Sequence, residues 1–503
     1  MRAVLLLFDS LNLRALSCYG GDLPTPNFDR LAKRTTVFDR HFVGSMPCMP
    51  ARRDLQTGRL NFMHRSWGPL EPFDVTLTGL MTERDVHSHL VTDHYHYFSA
   101  GGATYHTAFT TWAFIRGQEA DPWATVVNPP MERYQREYHA EQIETDRGGF
   151  RYQGLLNRDR IRNTPDFPCV KTFDAGLAFL EENRQADNWF LQVETFDPHE
   201  PFYAPEEFRN LFPTNYGGPV FDWPRYRRSN EETPDEAASL RANYAALVAL
   251  CDAQLGRLLD EFDRHAMWDD TALIVTTDHG FLLGEHDWWG KNRMPFYNEI
   301  AHIPLLIHVP GQPGGVRSSA LSQNIDVMAT LLDLYAIEAP HTVQGRSLLP
   351  AMSGEKGRDI ALYGVFGGAI NATDGRYSYF RYPPDMESRA LFEYTLMPQH
   401  SKSPFTLAEL RDATLHAGFG FSHGAPLLRI PARADAKRPP MQGGGFEDTS
   451  TVLYNLAVDP GQTSPVEDSE TEAQLLAEIV SEMARHEAPP ELYERFDLAS
   501  AAA

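Results

Sequence analysis

The chain has 503 residues, of which 42% are hydrophobic and 22% charged, proportions of a soluble globular protein long enough for more than one core. Its formal net charge of −23 excludes nucleic acid and anionic membranes as expected partners, because no basic block offsets it; an anionic substrate must be attracted locally. Four widely spaced cysteines (Cys18, Cys48, Cys169, Cys251), with no CxxC pair, argue against a disulfide framework and a zinc–thiolate site.

The first apolar run, "AVLLLFD" (3–9), is too short for the core of a signal peptide and ends in Asp9, so it reads as a buried strand. No stretch approaches the ~18 apolar residues of a membrane span. A cytoplasmic location is the expectation. "TPNFDRLAKR" predicts a helix with Thr25 as its cap and Pro26 in its first position. "CMPARRDLQTGR" (48–59) predicts another, with Pro50 in the first turn and Gly58 as its stop. Cys48 then sits at a helix N-terminus, where the dipole favours negative charge.

Further apolar runs read as strands at 87–93, 188–195, 271–280 and 303–311. Between them, Pro234 to Arg264 carries Tyr244, Leu247, Cys251, Leu255, Leu258, Leu259 and Phe262 at helical spacing, and 324–337 carries a second apolar face. Strands alternating with helices predict an α/β fold: one large, mostly parallel sheet sandwiched by helices. Composition changes near residue 360. We expect a large domain over 1–359 and a smaller α+β domain over 360–503, with a strand in "TVLYNL" and a helix near 471–486. The Gly-rich "QGGGF" (442–446) reads as a loop, since no strand–loop–helix frame surrounds it.

Reactive groups in such a sheet collect beyond the C-terminal ends of its strands. Asp9, Asp278 and His279 stand there, as do Asp197 and His199 in "ETFDPHEPF" and Asp93, His94 and His96 in "VTDHYHYF"; Lys291 follows in "HDWWGKNRMPFY". Oxygen ligands with one imidazole suit a hard divalent cation, calcium, magnesium or manganese, better than zinc.

The 56 residues of the block "LLLFDSLNLRALSCYGGDLPTPNFDRLAKRTTVFDRHFVGSMPCMPARRDLQTGRL", the later "ALIVTTDHGFLLGEHDWWGK" and then "YNEIAHIPLLIHVPG", "VQGRSLLPAMSG" and "VLYNLAVDPGQTSPV" together resemble the formylglycine-dependent sulfatases of the alkaline phosphatase superfamily, in family order. The likeness is weakest over 100–185 and 365–445. It implies that Cys48 is oxidised to formylglycine by a formylglycine-generating enzyme that reads Pro50 and Arg52. It implies Asp9, Cys48, Asp278 and His279 as ligands of one divalent cation, most simply Ca2+, with Mn2+ or Mg2+ as the other choices. Arg52 would orient the nucleophile, Lys291 would bind oxygens of the transferred group, and His199 would do the same or protonate the leaving oxygen.

Two departures stand out. Ser10 follows Asp9 where many sulfatases have a second acid, and "VTDHYHYF" replaces a Gly-Lys-x-His stretch, leaving His94 or His96 to take part of the missing lysine's role. Related phosphonate monoester and phosphodiester hydrolases share the first departure and the Asp-His pair. The resemblance therefore implies a sulfate ester hydrolase, with phosphonate or phosphate diester hydrolysis as the alternative. A binding protein that has lost catalysis is a third reading, which the joint presence of Asp9, Cys48, Arg52, Asp278, His279 and Lys291 opposes. His64, His106 and His286 read as structural, and the aromatic runs near 94–114 and 377–384 as core or interface. The loop 200–235 is long enough to cover the site or a neighbouring copy in a homo-oligomer.

Overall fold

The computed structural model describes residues 1–386, 390–432 and 445–498; the glycines of "QGGGF" at 443 and 444 lie outside the described residues. The main sheet has eight strands: β1 (Arg2–Phe8), β2 (Thr36–Phe42), β3 (His87–Thr92), β4 (Thr111–Phe114), β5 (Trp189–Thr195), β6 (Thr271–Thr277), β7 (Leu305–His308) and β8 (Val316–Gln323). Their spatial order is β8-β2-β7-β6-β1-β5-β3-β4. Every strand runs parallel except β7, which is antiparallel to both neighbours. A parallel β7 would have needed a crossover after β6, and the chain there offers only a two-residue hairpin and the short helix Asn298–Ala301. This is the α/β class that the alternation predicts. The strands it does not predict include both edges, β8 ("VRSSALSQ", polar) and β4 (four residues), where one-sided burial leaves little apolar signal.

The central strand shows how the sheet is covered. Val4, Leu6 and Phe8 of β1 enter one core, and Ala3, Leu5 and Leu7 enter the other, the two-residue alternation of a pleat buried on both faces. The first core is roofed by α1 (Pro26–Ala32), α3 (Pro168–Glu182) and α4 (Pro234–Arg264). The second is roofed by α2 (Cys48–Thr57) and α5 (Ile325–Leu334). Helix α4 opens with Thr233 and Glu236 in a reciprocal capping box and Pro234 at its first position. Thr25, expected to cap α1, does not: its hydroxyl accepts from Ser17 N, and the Asp252 carboxylate of α4 takes over by accepting from Asn27 N and Phe28 N.

A second sheet takes Val452–Asn455, Tyr377–Arg381, Ile370–Thr373 and Ala361–Val365 from beyond residue 360, and its fifth strand, Ser45–Met46, from just before α2. Helix α6 (Ser469–Arg485) packs on it through Leu475, Ile479 and Met483. Three strands, Phe392–Thr395, Leu427–Pro431 and Thr414–His416, form a further small sheet. Among the described residues no helix is long and apolar enough to cross a membrane.

Gly58 ends α2 in the left-handed region (φ 62°), and a Cβ there would lie 2.8 Å from Val343 Cγ1. Its carbonyl also accepts from Gln344 N and Gly345 N. Gly58→Ala is therefore expected to cost about 1–2 kcal/mol, read as a lower urea midpoint at unchanged slope.

Candidate active site

Register assembles the site. Phe8 of β1 lies opposite Thr195 of β5 and Thr277 of β6, so the three strands stop level and release Asp9, Phe196 and Asp278 along one edge. The N-terminus of α2 meets that edge. Asp9, Cys48, Asp278 and His279, all buried, bring one ligand atom each to within 4.8 Å of one another. Cys48 Sγ is 3.2 Å from His279 Nε2 and 3.3 Å from Lys291 Nζ. His279 Nδ1 lies 3.0 Å from the Gly280 carbonyl, a bond it makes as donor, which turns the Nε2 lone pair toward the cluster. Gly280 is required there, since a Cβ would stand 1.9 Å from the Glu299 carbonyl oxygen.

Arg52, one turn along α2, spreads its fork over three carboxylates. Nε donates to Glu194 (2.7 Å), Nη1 to Asp278 (2.6 Å) and Nη2 to Asp9 (2.8 Å), while Nη1 also reaches the Cys48 carbonyl (2.9 Å). Ser10 has a left-handed backbone (φ 61°); its N–H donates to Asp278 at 3.1 Å and its hydroxyl to Asp9 at 2.8 Å. Lys291 Nζ donates to that hydroxyl at 3.1 Å. A serine thus ties the Asp9 and Asp278 carboxylates to the lysine.

These contacts set the charge states. Burial pushes Asp9 up, yet Arg52 and Lys291 more than offset it and hold the carboxylate well below its usual range. Burial and the Asp9 charge push the Cys48 thiol well above its usual value, so the encoded thiol stays protonated. Burial lowers His279 to about 4 and keeps its imidazole neutral, the form a metal would need. Two carboxylates, a neutral imidazole and an oxygen in place of sulfur fit a hard divalent cation, whereas a thiol would be the mismatched member.

The remaining expected residues take different places. His94 Nε2 is 3.4 Å from Asp9 Oδ2. His96 stands behind it, ring centroids 4.9 Å apart, and does not contact the ligand set. His199 packs tilted against Phe196, ring centroids 4.0 Å apart, and its Nδ1–H donates to the Glu200 carbonyl, leaving Nε2 for the site. Burial and Lys291 hold it neutral. His64, His106 and His286 are engaged with Glu487 O, Tyr97 O and the Tyr297 ring. The loop 200–235 folds onto its own chain, with the Tyr226 hydroxyl donating to Glu200. Glu194 was not foreseen; it holds Arg52 and also accepts from the Tyr97 hydroxyl at 2.8 Å. Its signal was present as Gln192 and Glu194, two polar residues on one face of an otherwise apolar strand.

Asp93 and Asp197 stay outside the cluster, accepting from Phe196 N and Gln118 Nε2. Burial raises Asp197 to about 7, against the opposing bond from Gln118. The proton it keeps when folded is released by the unfolded chain near pH 4, so its contribution to stability is full below about pH 4 and is lost as pH rises to about 7. Asp197→Asn should therefore gain on the parent between pH 5 and pH 8. Thermal melts at the two values check this, and an equal difference at both would refute it.

A mostly parallel sheet that delivers a buried Asp/Cys/Asp/His set to one edge, backed by an arginine and a lysine, is the arrangement of a hydrolase of the alkaline phosphatase superfamily. The chain belongs to the sulfatase family: the profile described as "Sulfatase" matches residues 2–337, and that described as "N-sulphoglucosamine sulphohydrolase, C-terminal" matches 284–398. The chain is similar to N-acetylglucosamine-6-O-sulfatase of Bacteroides thetaiotaomicron, 25% identical over 408 residues covering 70% of this chain and 71% of that one. It is also similar to the multifunctional alkaline phosphatase superfamily protein PehA of Trinickia caryophylli, 27% identical over 391 residues, 67% and 73% of the two chains. The solved phosphonate monoester hydrolase of Agrobacterium radiobacter shares the fold at a TM-score of 0.65 and 20% identity, covering 96% of each chain.

Proposed function

We propose that the chain hydrolyses a sulfate ester of a small molecule, using a formylglycine made from Cys48 and one divalent cation, calcium before manganese or magnesium. The observation that carries this reading is the position of Cys48: at the N-terminus of α2, inside the ligand set and 3.3 Å from Lys291 Nζ. When present, the hydrated aldehyde and the cation supply a hydroxyl nucleophile and Lewis-acid stabilisation of the transferred group. Arg52 orients position 48 through its carbonyl and, with one positive charge shared among three carboxylates, offsets part of the charge that would otherwise repel an anionic ester. Lys291 places its ammonium beside position 48, where a sulfuryl oxygen gathers charge. His199, held through Nδ1–H on the Glu200 carbonyl, carries a lone pair on Nε2 and would protonate the leaving oxygen only after gaining a proton there, a step that a bound anionic ester favours. Maturation then requires a formylglycine-generating enzyme, and the expected setting is the cytoplasm.

Mass spectrometry of the tryptic peptide 41–52, from protein co-expressed with such an enzyme, tests the reading. An aldehyde mass at position 48, with activity rising alongside the modified fraction, supports it; an intact thiol in fully active protein overturns it. Removing the cation with a chelator should lower kcat/KM at least about 100-fold, with recovery on adding Ca2+.

A second reading, phosphonate monoester or phosphate diester hydrolysis, is favoured by Ser10 standing where a second acid would add charge, and by the likeness to a multifunctional relative. Ranking nitrophenyl sulfate, a phosphonate monoester and a phosphate diester by kcat/KM decides between them.

A further inference from the structure

The residue after His199 turns its side chain back on it. Glu200 is 1% exposed, and its Oε2 lies 3.0 Å from His199 Nδ1, the nitrogen that also donates to the Glu200 carbonyl at 2.5 Å. One ring nitrogen thus faces two oxygens of one residue. The carbonyl takes its hydrogen, while Oε2 is buried and has no hydrogen-bond partner among the described residues. Oε1 is held from the other side, where it accepts from the Tyr226 hydroxyl.

Both ends of this pair are fixed. The Tyr226 carbonyl accepts from Arg293 Nη1, and its ring packs so closely on Gly290 that a Cβ there would stand 2.9 Å from Tyr226 Cγ. Gly290 precedes Lys291, so the clamp on Glu200 rests on the segment that carries the ammonium beside Cys48. At the other end, His199 N donates to the Phe196 carbonyl at 2.9 Å and its ring lies against the Phe196 ring.

Neutral His199 uses only the carbonyl. The protonated ring that leaving-group protonation requires spreads positive charge over both nitrogens, and Oε2 is the oxygen placed to meet it. The other groups facing the ring are divided: Asp9 favours its charged form, while Lys291, His279 and His96 oppose it. Glu119 faces Glu200 as a second acid. Burial raises Glu200 to about 7, against Lys291 and the bond from Tyr226. Near neutrality a charged carboxylate and a charged ring therefore each make the other less costly.

Resting on the hydrolase reading above, we propose that Glu200, clamped by Tyr226, is a positioning residue that lets His199 hold the proton it delivers. In that step the bond from sulfur to the leaving oxygen breaks and the leaving oxygen takes the proton from Nε2. The ring returns to its neutral Nδ1–H form, and the carboxylate stays in place and gains nothing.

Glu200→Gln tests this, since the amide keeps the shape and an oxygen for Tyr226 but loses the charge. Protonation matters most where the leaving oxygen is basic. The variant's loss in kcat/KM should therefore be at least about tenfold larger for phenyl sulfate than for 4-nitrophenyl sulfate. In a His199→Gln background the same change should add no further dependence on the leaving group. A misshapen pocket would instead cost both esters alike. The second readout needs no turnover: nitrogen NMR of isotope-labelled histidines in full-length protein saturated with inorganic sulfate, with His199 assigned by its loss in His199→Gln. Its titration midpoint should fall by about one pH unit or more in Glu200→Gln. Equal losses for the two esters, or an unmoved midpoint, overturn the proposal. A midpoint that falls while neither sulfate ester is turned over leaves the pair standing and removes the sulfatase reading.

Discussion

Cys48→Ala should abolish turnover, lowering kcat/KM by on the order of 10^4 or more for sulfate, phosphonate and diester substrates alike. No neighbouring group can substitute. Burial pushes the Lys291 pKa down, but the carboxylates of Asp9, Glu200 and Asp278, which remain in the variant, push it up and hold the side chain as an ammonium. His279 faces the ligand set, and Ser10 donates its hydroxyl proton to Asp9 while accepting from Lys291. The fold should barely register the change, since one sulfur is lost from a polar pocket and no core contact is broken. Initial rates together with thermal melts separate the two effects. Turnover that survived in a folded variant would end the formylglycine mechanism. Cys48→Ser sharpens the test: one hydroxyl allows attack, but with no second hydroxyl to drive collapse the variant should stop after a single-turnover burst.

Arg52→Met is expected to damage both stability and catalysis. The guanidinium is 1% exposed and serves Asp9, Asp278 and Glu194, each 0% exposed, through three separate N–H directions. Removing it strands buried carboxylates, a change that costs about 3–5 kcal/mol in comparable settings. The rate should fall by roughly 10^2–10^3-fold through misplacement of position 48 and loss of a fixed positive charge. Arg52→Lys should recover little, because a single ammonium cannot reach three acceptors lying in three directions. Urea unfolding with and without added cation measures the first effect and kcat/KM the second. A variant as stable as the parent in cation-free buffer would refute the charge-neutralising role assigned here.

Much of the candidate cluster could be read from sequence because apolar strands announce where they stop. "AVLLLF" ends at Asp9 and "TALIVTT" at Asp278-His279, and the cysteine block sits at a helix start with its own punctuation in Pro50 and Gly58. What sequence could not supply was adjacency. That β5 lies beside β1, and so brings Glu194 to Arg52, depends on strand order, which no local pattern encodes. Short or polar strands gave too weak a period, as with β4 and β8, and the reversed direction of β7 followed from a connection rather than from its residues. Thr25 failed as a cap because a distant acid, Asp252, reached the same N–H groups.

The strand Ser45–Met46 pairs with Ala361–Val365, and two residues after it comes Cys48, 1% exposed. An enzyme acting on that side chain has no access once this pairing has formed. Its partner strand leaves the ribosome roughly 300 residues later, which at about 5–20 residues per second is a delay of roughly 15–60 s. On the proposed mechanism, oxidation of Cys48 is therefore a race against the chain's own closure, and slow synthesis or delayed docking of the C-terminal sheet lengthens the time allowed. The yield of active protein would then be set by translation speed and folding rate as much as by affinity for the modifying enzyme.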